Sequence, residues 1–142
     1  MDTILFVCTG NTCRSPMAEG IFNVLAQRSG AETCALSCGI AAVEGDCVTK
    51  NAVLAAQELG ADISEHRARQ ITPQMVESAS AVYTMTKSHG DMLRALMPEA
   101  AEKIRTLGDR DISDPYGGDG MTYRKTAGEI LRCVEKILSE LK

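Results

Sequence analysis

At 142 residues the chain is near the commonest size of one compact domain, 1–142, and is short for two ordinary ones. Hydrophobic residues make up 44% and charged residues 24%, close to globular averages, which argues against disorder, collagen-like repeats and coiled coil. Fifteen Lys and Arg against nineteen Asp and Glu give a net charge of −4 with no basic block, so no nucleic-acid partner is expected.

Thr3 to Cys8 is short and continuously apolar or β-branched, the pattern of a strand buried on both faces of a parallel sheet. Its apolar run is far below the ~18–20 residues of a membrane span, and no charged leader precedes it. No membrane partner is expected, and the protein should be cytoplasmic. From Ser15-Pro16 the apolar Met17, Ile21, Val24 and Leu25 recur at helical spacing, with Pro16 suited to the first turn and Gly30 to the stop.

The pattern then repeats. Thr33 to Ser37 reads as a strand, Lys50 to Leu59 as a helix ending at Gly60, and Thr72-Pro73 as the opening of a short helix. Ala81 to Met85 reads as a third strand. Met92, Leu93, Leu96 and Met97 form a helical stripe, taken as core and closed by Pro98, and Lys103 to Leu107 reads as a fourth strand. Gly108 to Gly120, dense in Asp, Gly and Pro, is a long loop, and Thr122 to Leu141 a long amphipathic helix. Strands alternating with helices imply an α/β fold, a parallel sheet with helices on both faces, whose sites sit at the carboxyl ends of strands. That directs attention to the loops after the first and fourth strands.

The first of these reads Cys8-Thr9-Gly10-Asn11-Thr12-Cys13-Arg14-Ser15. A loop wrapped between a strand end and a helix N-terminus turns successive backbone N–H groups inward and adds the positive helix end, which makes an oxyanion cradle. Arg14 adds a fork able to bind two phosphoryl oxygens. Oriented N–H dipoles and a guanidinium favour the thiolate of Cys8, a nucleophile placed for in-line attack on phosphorus. Ser15 can donate its hydroxyl to that sulfur, and Asn11 can hold a left-handed turn. The cradle residues are thus Thr9, Gly10, Asn11, Thr12, Cys13, Arg14 and Ser15. No metal and no cofactor is called for. A Walker-type reading fails because no GK[ST] follows.

Phosphoryl transfer also needs a proton donor for the leaving group and then a base for water, and one carboxyl can serve as both. The second loop offers Asp109, Asp111, Asp114 and Asp119, of which Asp114, fixed by Pro115 and next to Tyr116, is the candidate; the others are assigned to turns. Inorganic phosphate and related oxyanions are expected inhibitors.

With CTGNTCRSP near its start and DPYGG near its end, the chain resembles the low-molecular-weight protein tyrosine phosphatases over essentially its whole length. The resemblance implies a three-layer sandwich on a four-stranded parallel sheet, Cys8 as nucleophile, Arg14 as phosphate ligand, Asn11 and Ser15 as support, and Asp114 as general acid. Tyrosine-specific members usually have apolar residues at the positions of Thr9 and Thr12 and a second aromatic where Gly117 stands; here Tyr116 is the remaining wall. Thr12 within CTGNTCRS, followed by DP-aromatic-GG, is similar to the bacterial protein-arginine phosphatase branch. That implies phosphoarginine in proteins as substrate, with Thr12 and Tyr116 setting selectivity. A protein-tyrosine phosphatase is the alternative.

Six cysteines without an export signal are expected to be free thiols. Cys13 lies in the same loop as Cys8, so a reversible Cys8–Cys13 disulfide can protect an oxidised nucleophile. Cys34, Cys38, Cys47 and Cys133 are assigned to packing. Thiol-dependent arsenate reductases resemble this fold but need a further cysteine pair after the third strand, and Thr84 to Arg94 contains none. A non-catalytic oxyanion-binding module is disfavoured by the presence of both Cys8 and Asp114. His66 and His89 lie outside both loops and are expected in surface or capping roles.

Overall fold

The computed structural model describes residues 2–141. In chain order it forms β1 (Thr3–Cys8), α1 (Arg14–Ser29), β2 (Cys34–Gly39), α2 (Lys50–Glu58), α3 (Pro73–Ser78), β3 (Ala81–Thr84), α4 (Lys87–Leu96), a 3-10 turn over Pro98–Lys103, β4 (Ile104–Thr106) and α5 (Gly120–Glu140). The strands pair in parallel in the order β2-β1-β3-β4.

β1 is apolar throughout because both of its faces are covered. Ile4, Phe6 and Cys8 point into a cluster built by Met17, Ile21 and Phe22 of α1, Ala52 and Ala56 of α2, and Ile130 and Val134 of α5. Leu5 and Val7, one position out of phase, enter a second cluster with Val76 of α3, Leu93 of α4 and Ile104 of β4. Truncating a core side chain such as Phe22, which is fully buried, would cost ~3–5 kcal/mol. The chain leaves β1 for β2 on one side and later returns to β3 on the other, so the carboxyl end of β1 lies where the strand order reverses. Crevices open at such points in parallel sheets.

Several boundaries differ from the sequence reading for identifiable reasons. β2 runs on through Cys38 to Gly39 because it stays in register with β1, Cys8 opposite Gly39. A side chain at Gly39 would meet Thr9 O at 2.5 Å and Asn11 N at 3.0 Å, so glycine at the strand end lets the first loop fold against it. β4 begins a residue late because Pro98 opens a 3-10 turn that uses Lys103. In α4 the stripe assigned to core is only half so. Leu93 and Met97 are buried, whereas Met92 and Leu96 are 46% and 66% exposed, and the inward line is completed instead by His89 and Gly90. Four-residue spacing through positions 89, 93 and 97 follows the helix pitch, and the apolar pairs at 92 and 96 fall off that line.

Candidate active site

Cys8 ends β1, and the segment 9–13 folds over its sulfur before α1 begins at Arg14. Carbonyls on the outside of the loop are tied down: Ile40 N donates to Cys8 O, Ala41 N to Thr9 O and Thr49 N to Thr12 O, at 2.9–3.0 Å. The N–H groups of Gly10, Thr12 and Cys13 pair with no backbone carbonyl among the described residues, while Asn11 N donates to Cys8 Sγ at 3.3 Å. Asn11 has φ of +57°, the single non-glycine residue in the left-handed region among those described. It tolerates that conformation because its short amide makes local hydrogen bonds.

The buried amide of Asn11 fixes the direction of every proton near the sulfur. Its Oδ1 accepts from the backbone N of Arg69 at 2.9 Å, a group that can only donate, so the amide nitrogen faces the other way. Nδ2 then donates to Ser15 Oγ at 2.8 Å and to Ser37 Oγ at 3.0 Å. Ser15 thus has one lone pair engaged, and its single proton faces two acceptors, Cys8 Sγ at 2.8 Å and Cys38 O at a longer 3.4 Å. Ser37 Oγ–H donates in turn to Glu19 Oε1 at 2.8 Å. The shorter of the two Ser15 contacts sets its hydroxyl against the sulfur, beside the Asn11 N–H that donates to it.

Arg14 is almost fully buried. Its Nη1 donates to Ile112 O at 3.1 Å, its Nη2 stands 3.8 Å from Asp114 Oδ2, and its Nε is buried without a hydrogen-bond partner among the described residues. An unpaired buried guanidinium N–H costs free energy that a bound oxyanion recovers. Asp114 is more than half exposed, with Oδ1 accepting from Tyr116 N at 3.1 Å in a tight turn before Pro115 sets the chain direction. The loop aspartates assigned to turns serve otherwise: Asp111 accepts from Lys87 N and ties the loop to the start of α4, and Asp119 caps α5 through Thr122 N. Tyr116 is 74% exposed, free to lie beside a substrate. The structure thus brings Asp114, distant in sequence, to within 3.8 Å of Arg14 in the loop that starts at Cys8.

The six cysteines are all free thiols. Burial, reinforced by the charge of Cys8, pushes Cys13 up to about 11 and Cys38 up to about 12. Cys13 packs in the same apolar cluster as Cys8, whereas Cys38 faces the opposite side of the sheet with Val7.

Both histidines correct the sequence reading. His66, from the segment after α2, places Nε2 2.9 Å from Asn11 Oδ1, and His89 of α4 places Nε2 2.9 Å from Thr9 Oγ1. Neither side chain is exposed; both bond the first loop. Because Asn11 Oδ1 can only accept, His66 carries its proton on Nε2. Burial, with the Arg69 guanidinium adding to it, pushes His66 down to about 4, so the ring is neutral. Its Nδ1 stands 3.9 Å from Glu19 Oε2, and burial raises the Glu19 carboxyl above the usual range. Glu19, Ser37 and Arg69 are further site residues that the sequence reading missed. The available signal was indirect: a buried asparagine has four hydrogen-bonding positions, more than its own loop can fill.

Residues 3–142 match the family model described as low molecular weight phosphotyrosine protein phosphatase. A protein-arginine-phosphatase of Geobacillus stearothermophilus is 37% identical over 98% of this chain and 95% of its own length. A crystal structure of a low molecular weight protein tyrosine phosphatase from T. tengcongensis superposes with a TM-score of 0.95 at 40% identity, covering 99% of both chains. The YwlE arginine phosphatase, solved as a cysteine-to-serine mutant with a phosphorylated active-site serine, superposes at 0.93 with 32% identity over 98% of this chain and 95% of that one.

Proposed function

Since the chain belongs to the low molecular weight phosphotyrosine protein phosphatase family, we propose that it dephosphorylates phosphoarginine side chains of proteins through a cysteinyl-phosphate on Cys8. It is a hydrolase of the protein-phosphatase class. The observation that carries the mechanism is the Cys8 sulfur, held 2.8 Å from Ser15 Oγ and 3.3 Å from Asn11 N. Loop amides and Arg14 receive the phosphoryl group, the guanidinium using its unpartnered Nε together with Nη2.

The Cys8 thiolate attacks phosphorus in line, forming the S–P bond as the P–N bond to the guanidino nitrogen breaks. Asp114 gives its proton to that departing nitrogen. The resulting carboxylate then takes a proton from water, whose oxygen attacks phosphorus. The S–P bond breaks, the thiolate is restored and inorganic phosphate leaves. Placement of the attacking sulfur and stabilisation of the equatorial oxygens supply most of the catalysis. The phosphorylated serine of the YwlE mutant supports a phosphoryl group carried at this loop position.

The substrate choice is supported by Thr9 and Thr12, polar where tyrosine-specific relatives are expected to be apolar, by the scarcity of aromatic walls, and by the Geobacillus relative. Phosphotyrosine is the second reading, favoured by the T. tengcongensis neighbour. Catalytic efficiency on matched phosphoarginine and phosphotyrosine peptides decides between them. Wild type should favour phosphoarginine and Thr12→Ile should shift the preference toward phosphotyrosine; a wild-type preference for phosphotyrosine overturns the substrate assignment. Vanadate and phosphate should compete with substrate at the same loop. We place the protein in the cytoplasm, a reading supported by its six free thiols. Among the described residues no helix is long and apolar enough to cross a membrane.

A further inference from the structure

His89 enters the cleft from α4, a segment to which the chemistry above gives no part. Its Nε2 lies 2.9 Å from Thr9 Oγ1, while its Nδ1 is buried and has no hydrogen-bond partner among the described residues. The side chain is about nine-tenths buried, with a relative exposure of 9% for the residue. Burial, with the charge of Arg14 adding to it, lowers its proton affinity, so the neutral ring has one proton to place. On Nδ1 that proton would be an orphaned buried donor; on Nε2 it is bonded to Thr9. A buried donor without a partner is costlier and rarer than an acceptor with a spare lone pair, which selects the Nε2–H tautomer.

The bond consumes one lone pair of Thr9 Oγ1 and fixes where that oxygen stands. Thr9 is exposed and follows Cys8 directly. A phosphorylated guanidino group carries N–H donors next to phosphorus, whereas a phenolic ring carries none. An anchored hydroxyl with a remaining lone pair can accept one of those N–H groups, and it leaves a polar wall imperfectly matched when an aryl ring is bound.

We propose that His89 is a positioning residue for substrate selection, holding the Thr9 hydroxyl where it accepts an N–H of the guanidino leaving group. The inference deepens the phosphoarginine assignment and rests on it. An apolar residue at position 9, as expected of tyrosine-specific relatives, would leave His89 Nε2 without this partner, so the two positions form a functional pair.

The test is a double-mutant cycle on the phosphoarginine-to-phosphotyrosine ratio of kcat/KM, using Thr9→Val, His89→Phe and the double variant, with His89→Gln as the conservative control. Glutamine can present an amide N–H near the position of Nε2, and Thr9→Val changes an exposed side chain without altering its shape. One neutral hydrogen bond predicts a roughly five- to tenfold fall in the ratio for either single variant, no further fall in the double, and recovery of most of the ratio by His89→Gln. Additive losses, an unchanged ratio, or a His89→Gln variant as unselective as His89→Phe would overturn the role of His89 alone. A wild-type preference for phosphotyrosine would overturn the substrate assignment and this inference with it.

Discussion

Replacing Asn11 by aspartate keeps the shape of the side chain, turns its donor into an acceptor and adds a buried charge. The retained oxygen keeps its two donors, Arg69 N and His66 Nε2, both at 2.9 Å. The former Nδ2 becomes an oxygen 2.8 Å from Ser15 Oγ and 3.0 Å from Ser37 Oγ, where it can accept but not donate while ionised. Ser15 then turns its one proton to the new carboxylate and withdraws it from Cys8. Losing a hydrogen bond to a charged group costs ~1.5–3 kcal/mol. At about 1.36 kcal/mol per decade this is a roughly ten- to 150-fold loss in thiolate-dependent rate. Turnover of an aryl phosphate and alkylation of Cys8 by iodoacetamide, each expressed per folded molecule at neutral pH, should fall together. Asn11→Ala is the informative comparison. It removes four hydrogen bonds and loses ~4 kcal/mol of stability at about 1 kcal/mol each, yet leaves the Ser15 proton free for sulfur. Its folded fraction should be alkylated faster than Asn11→Asp. Equal alkylation in wild type and Asn11→Asp at neutral pH would refute the proton ordering.

Asp114→Asn should lower aryl-phosphate turnover by roughly 10²–10⁴-fold, with a smaller loss on phosphoarginine because a guanidino nitrogen takes a proton from solvent more readily than an aryl oxygen; undiminished turnover on both substrates would remove Asp114 from the mechanism. Peroxide followed by dithiothreitol should restore activity in wild type but not in Cys13→Ala. The charge of Cys8 that helps hold Cys13 protonated disappears once Cys8 is a neutral sulfenic acid, and equal recovery would exclude a Cys8–Cys13 disulfide. His66 binds its proton near 6.5 when unfolded but at about 4 when folded, so between these values the unfolded state holds the extra proton and stability falls as pH drops. The loss is at most ~3 kcal/mol at about 1.36 kcal/mol per unit. Glu19, whose folded carboxyl keeps its proton above the unfolded value of 4.5, acts in the opposite sense over its own window. Urea midpoints across this range should therefore decline more steeply in wild type than in His66→Gln, and identical slopes would count against a neutral buried ring.

The proposed reacting groups were legible because their chemistry demands contiguity. The proposed nucleophile, its cradle and a helix N-terminus occupy eight consecutive residues, Cys8 to Ser15, and the local pattern of strand, glycine, asparagine and proline states the geometry of the loop. Asp114 was legible only through its punctuation, Pro115 before a Gly-Gly pair. The same reasoning failed on α4, where apolar content assigned Met92 and Leu96 to the core. A helix buries whatever lies on its inward line, and that line held a histidine and a glycine.

His66 and His89 were illegible for a related reason. They reach the loop across 55 and 80 residues of sequence, and each is a single polar contact that leaves no periodic trace. Yet these distant contacts determine what the nearby residues can do. The backbone N–H of Arg69 cannot reverse its role, and from it the order passes through Asn11 to Ser15 and ends at sulfur. Had that position on the far side of the loop offered an acceptor instead, the amide would flip, Ser15 would need its proton for Asn11, and the same CTGNTCRS motif would hold Cys8 with one donor fewer. A motif read from sequence names the atoms of such a site; the polarity of its hydrogen bonds, on which the reactivity of the thiol depends, is set by the fold around it.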